Sequence, residues 1–154
     1  MKNIYKKIAA LALAAFACVA LAACNGGSSS NAPAANASYA DGVYEGRSSD
    51  FQADESGNGA GYGEVTIEIK DQKIVSCTFT LYELDGKVKD ETYGADLSRE
   101  NRMKAQKAVQ AAEKYASMLV DSENLDGVDV ITGATISHNE FIEAVNDALS
   151  KAAQ

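Results

Sequence analysis

The run Asp129-Val130-Ile131-Thr132-Gly133-Ala134-Thr135 sets two threonine hydroxyls on either side of a glycine and an alanine, just ahead of a predicted helix. Gly133 and Ala134 carry little or no side chain, so a bulky group can approach the backbone closely there. Ser137-His138-Asn139-Glu140 fits a capping box, which places the helix start at Ser137. Thr135 lies two residues upstream, where unpaired N–H groups and the positive end of the helix dipole favour an anion. The chemistry this spacing offers is a hydroxyl at Thr135 that carries or faces a negative group, with Thr132 as a second donor. Asp129 is a poor partner for an anion because like charges repel. It is expected to order the loop by accepting backbone N–H bonds.

Other chemistry-bearing residues are sparse. His138 is the only histidine, expected to be exposed in the first helical turn, and Cys77 is the one cysteine within the predicted domain. One histidine and one cysteine cannot assemble a protein-ligated zinc, haem or iron–sulfur site. Asp54-x-Ser56-x-Asn58-Gly59 looks like the start of a calcium loop, but its twelfth position is Val65, where a bidentate carboxylate is needed. It is read as a glycine-rich turn. No nucleophile–base pair stands out, so the chain is expected to be a carrier and not an enzyme in its own right.

The elements that must position the motif follow from periodicity. Asp41-Gly42-Val43-Tyr44-Glu45-Gly46 suggests a short opening strand. Val65, Ile67 and Ile69 share one face of a second strand. After the Asp71-Gln72 break, Val75, Cys77, Phe79 and Leu81 share one face of a third, which predicts a hairpin with one buried side. Cys77 falls on that apolar set and is read as a core residue. Leu84-Asp85-Gly86-Lys87 suggests a turn. From Ser98 to about Val120 the period becomes helical, with Met103, Ala105, Ala108, Val109, Ala112, Ala116 and Leu119 on the apolar face. A second helix carries Phe141, Ile142, Val145, Ala148, Leu149 and Ala152. Strands first and helices last predict an α+β domain, a small antiparallel sheet with C-terminal helices packed on one face.

Residues 1–23 read as an export signal. Lys2, Lys6 and Lys7 precede an apolar run from Ile8 to Ala23, about 16 residues where a stable span needs ~20. Leu21-Ala22-Ala23-Cys24 matches the bacterial lipobox, and that resemblance implies lipidation of Cys24 after cleavage, with membrane lipid as a partner. Two or three acyl chains, at ~0.8 kcal/mol per buried CH₂, would anchor the chain essentially permanently. Residues 24–40, rich in Gly, Ser, Ala and Asn, read as a flexible tether to a domain over residues 41–152. The expected location is the extracytoplasmic face of the cell membrane. Losing the three signal lysines takes the net charge from −8 to −11, which argues against nucleic acid as a partner.

The motif Asp129-x-x-Thr132-Gly133-Ala134-Thr135 resembles the flavinylation motif of the FMN-binding domain family, Asp-x-x-(Ser/Thr)-Gly-Ala-(Thr/Ser). That family includes peripheral subunits of ion-pumping NADH–quinone and ferredoxin oxidoreductases, and flavin lipoproteins of extracellular electron transfer. In it, a flavin transferase takes FMN from FAD and esterifies the phosphate to the last hydroxyl, and Thr135 matches that acceptor. Asp129 would then meet a metal in the transferase. The opening at 41–46, the glycine-rich turn, the hairpin and the Tyr93-Gly94 pair follow in the family's order over about residues 41–150. One departure is the Asp71-Gln72 turn, where family members often carry glycine. The resemblance implies FMN bound at Thr135, with Thr132, Gly133, Ala134, Asp129 and Ser137 around its phosphate. Tyr62 and Tyr93, both flanked by glycine, are candidates to face the flavin ring, and Lys104 to pair with phosphate or reduced flavin. The implied role is electron transfer from a membrane donor to an extracellular or periplasmic acceptor. The alternative is a ligand-binding or adhesion lipoprotein that shares the fold without redox chemistry.

Overall fold

Val65, Ile67 and Ile69 are almost fully buried while Thr66 and Glu68 between them face outward, so the central strand has one dry side. The computed structural model describes residues 38–154; the predicted signal, Cys24 and the tether up to residue 37 lie outside the described residues. Three antiparallel strands in the order β1-β2-β3 form the sheet: β1 (Gly42–Arg47), β2 (Tyr62–Lys70) and β3 (Lys73–Tyr82). Two helices follow, α1 (Arg99–Ser122) and α2 (Thr135–Ala152), separated by a single 3₁₀ turn at Leu125–Gly127. α2 packs on β1 and β2, and α1 packs on β3. Tyr115, Leu119, Phe141 and Val145 meet Ile67 and Phe79 in one core. The molecule is the small α+β fold that the periodicity predicts.

Two details depart from strict alternation. Val75 is 44% exposed and Ile74 is buried in its place. The register explains this: Glu68 pairs with Ser76 but Ile69 pairs with Ile74, so Val75 is an extra residue in a β-bulge. A bulge shifts the alternation by one position, and a period-two count from Leu81 backwards cannot see it. The hairpin turn itself falls at Asp71-Gln72, with φ of 51° and 66°. Two consecutive left-handed residues are the two-residue turn whose twist suits a hairpin. Gln72 tolerates this cost while tying down the entering chain: its Oε1 accepts from the Tyr39 amide at 2.9 Å. Tyr39 also bridges Ala153, and the Ala40 amide donates to the Ala152 carbonyl at 2.8 Å, so the chain is paired just ahead of residue 41.

α1 begins where the sequence predicts. Ser98 caps it, accepting from the Asn101 amide at 3.3 Å. Its buried face includes Ala105, Ala111, Ala112, Tyr115, Ala116 and Leu119. Met103, expected on that face, is 65% exposed. The small alanines let α1 approach the sheet closely, and the bulky contact is made by Tyr115.

Candidate functional site

α2 begins at Thr135, two residues before the expected start, and the Ser137 capping box does not form. Ala134 occupies the cap position with no side-chain hydrogen bond to the helix, and the first turn contains no acidic residue. Ser137 is instead buried inside the first turn, and Glu140 is buried beneath it. A cap chosen by residue type favours serine over alanine; here tertiary contacts set the start. The phenolic oxygen of Tyr115, fully buried on α1, donates to the Ala134 carbonyl and accepts from the Ile131 amide, both at 3.1 Å. Within the turn, the Ala134 amide donates to the Ile131 carbonyl at 2.9 Å, and Gly133 takes φ of 80°, a conformation that suits glycine. His138 is half-buried, not exposed. Its Nε2 lies 3.0 Å from the Val128 carbonyl and must donate, since a carbonyl only accepts. Its ring packs edge-on against Tyr115.

The result is an exposed Thr135 at the first position of α2, beside backbone amides that no side chain caps. Thr132 and Asp129 are exposed in the same loop. Asp129 accepts no hydrogen bond among the described residues, so the ordering role expected of it is carried by Tyr115 and His138. Across from the loop stands Lys107 of α1. A Cβ built on Gly133 would lie 3.0 Å from the Lys107 ammonium, which places that charge over the motif's glycine. Lys107 escapes sequence inspection because it resembles any other lysine on a helix face.

A cleft of about 280 Å³ opens beside the motif. Gly133, Ala134, Ser137, Tyr93 and Lys104 line it, so five sequence-selected residues converge; Thr135 is not among the lining residues, but its chain neighbours Ala134 and Ile136 are. Leu81, Leu97, Ala105 and Ala108 supply apolar wall. Tyr93 lies against Gly59, where any Cβ would collide with its hydroxyl. Lys104 donates to the Ser56 carbonyl at 3.1 Å and pairs with Glu100 at 3.4 Å, fastening the glycine-rich turn to α1. In that turn both oxygens of Asp54 are engaged by Asn58, from its amide at 3.0 Å and its Nδ2 at 2.7 Å.

Tyr62 is not brought to the cleft. Gly63 and Val65 face the core, so period two turns Tyr62 to the other side of the sheet. There it stacks on Tyr82 at 5.2 Å, with the Arg47 guanidinium 3.8 Å above its ring. Cys77 is half-buried, and burial pushes its thiol up to about 12, which makes it an inert packing residue.

Two charged residues in the cleft were not expected there: Lys89 carries no sequence signal, and Glu140 is expected only as the last member of the capping box. Lys89 is 8% exposed and Glu140 5% exposed. Burial raises the Glu140 carboxyl to about 7; Lys89 opposes that shift and Glu143 adds to it. Burial also lowers the Lys89 ammonium, against the pull of Glu140 and Glu83. The Tyr93 hydroxyl is raised by burial and by Glu83 and Glu140.

The cleft is just under the ~300–1,000 Å³ common for ligand sites, and it combines apolar walls with a few convergent polar groups, as small-molecule sites do. No functionally curated protein matches the chain. A crystal structure of the CPE2226 protein from Clostridium perfringens shares the fold, with a TM-score of 0.55 and 23% identity over 74% of this chain and 88% of that one. The family model described as the FMN-binding domain matches residues 58–150, which take in the end of the glycine-rich turn, the hairpin, most of the residues lining the cleft and the motif. The chain belongs to the FMN-binding domain family.

Proposed function

We propose that this chain carries FMN esterified through its phosphate to Thr135, and that it passes electrons from a membrane donor to an acceptor outside the cytoplasm while anchored by lipid at Cys24. The observation that carries the reading is the placement of Thr135. Thr135 is exposed as the first residue of a long helix whose amides no side chain caps, between two residues that line a cleft in an FMN-binding domain. An anion there is favoured by the amides and by the helix dipole. The phosphate would be held by those amides, with Lys107 within reach as a counter-charge, and Tyr93 with the apolar wall would flank the ring. When bound, FMN supplies one- and two-electron chemistry that no side chain can perform.

The chain's own contribution is position. Tyr115 and His138 hold the motif loop, and Gly133 and Ala134 keep the backbone clear for a flavin transferase. Covalent attachment suits an exported protein, because dissociated cofactor would be diluted away. Produced with a flavin transferase in a host that exports it, the full chain should be yellow and fluoresce as a band after denaturing electrophoresis. Thr135→Ala should abolish that band. A colourless wild-type protein overturns the reading; colour lost on denaturation removes the ester while keeping FMN.

A further inference from the structure

The motif accounts for the rim of the cleft and leaves its two buried charges unexplained. Lys89 comes from the segment after β3 and Glu140 from the second turn of α2, and both line the cleft. Each is more than nine-tenths buried. Glu140 Oε1 has no hydrogen-bond partner; the Lys89 amide donates to the Leu81 carbonyl at 2.8 Å, but its ammonium makes no ion pair or hydrogen bond among the described residues. Lys89 is nevertheless held in place. Its ammonium stands 5.1 Å from the centre of the Tyr93 ring, and a Cβ on Gly61 would collide with it. Burying a charge without a partner costs several kcal/mol. Glu140 and Lys89 offset each other's charge only in part, and an orphaned carboxyl oxygen beside an ammonium with no hydrogen bond, both lining one cleft, marks a place where a ligand completes their bonding.

We infer that Lys89 and Glu140 are the polar recognition pair for the flavin ring, Lys89 donating to a carbonyl of its pyrimidine edge and Glu140 bonding the adjacent ring N–H. That edge is the part of the ring that offers acceptors and a donor side by side, and the opposite end of the ring is apolar. The inference rests on the reading of the cleft as the FMN seat. The fixed positive charge of Lys89 also favours the ring once it has gained electrons, because that charge is worth more in a dry site than in water.

The test uses the full chain in two forms. Produced without a transferase, it is titrated with lumiflavin, the ring without a phosphate, and binding is followed by fluorescence quenching. Flavinylated, it is titrated with dithionite against reference dyes to give its midpoint potential. Lys89→Met and Glu140→Leu should each weaken lumiflavin binding about tenfold or more, whereas Lys89→Arg and Glu140→Gln, which keep a donor and an acceptor, should retain most of it. Lys89→Met should also lower the potential by about 30 mV, the equivalent of a tenfold lost preference for the two-electron reduced form.

Circular dichroism and thermal melts establish that the variants fold. Should they not, the carboxyl carbon resonance of Glu140 in labelled wild-type protein decides, since lumiflavin should shift it and an unmoved resonance overturns the inference. Yellow, flavinylated variants with wild-type lumiflavin affinity and potential overturn it too, and leave the FMN reading intact. A wild-type chain that never takes up flavin overturns both.

Discussion

The hydroxyl of Tyr115 holds two points of the motif loop at once, as donor to Ala134 and acceptor from Ile131. Because it reaches in from the middle of α1, it couples the loop to the core. Tyr115→Phe should leave packing against Phe141 intact and strand the two backbone groups, costing about 1–2 kcal/mol. The same change should lower the fraction of Thr135 that is flavinylated. Urea denaturation and in-gel flavin fluorescence measure the two effects; unchanged values for both would remove Tyr115 from the positioning role. At this scale the sequence was legible where a motif spells out its chemistry, as at Thr132-Gly133-Ala134-Thr135. It was silent at Tyr115, Lys107 and Lys89, and it assigned Glu140 to a capping box that does not form. Each of those matters through a neighbour distant in the chain, and a lysine over a glycine is spelled like a lysine in water.

Among the elements, β1 and α2 approach each other closely at Gly46. Gly46 is buried with its backbone against Ala144 and Ala148, and a Cβ there would overlap the Ala144 carbonyl and fall 2.6 Å from the Ala148 nitrogen. Neither neighbour is a flexible side-chain end, so Gly46→Ala should destabilise the domain by about 2–3 kcal/mol. A lowered urea midpoint checks this, and an unchanged midpoint would mean that β1 does not dock as seen. The strands, both long helices and their order were readable from period alone. Where elements begin and bend was not. The Val75 bulge depends on pairing with β2, and the start of α2 at Thr135 depends on the turn that Tyr115 holds. Both are decided by partners that periodicity does not contain.

For the molecule as a whole, the proposed anchor separates compartment from fold. Cys24→Ser should release the chain from membranes or leave it uncleaved, without altering the folded domain; membrane fractionation of the wild type and this variant tests this, and a correctly cut Cys24→Ser chain that still partitions with membranes counts against lipidation. With a net charge of −8, an electron partner that uses steering should present a basic patch. The sequence by itself determined the class of fold and the family the motif points to, because each is written in residues adjacent in the chain or in a simple repeat; the proposed export signal and the proposed acceptor threonine are read from the same kind of local pattern. Only the tertiary structure decided that Tyr93 faces the cleft and Tyr62 does not, and that the first turn of α2 is open at Thr135. It alone brought Lys89 and Glu140, 51 positions apart, into one pocket. Those outcomes turn on which face of a strand is buried and which side chains lose their water, and such properties belong to packed elements, not to residue types.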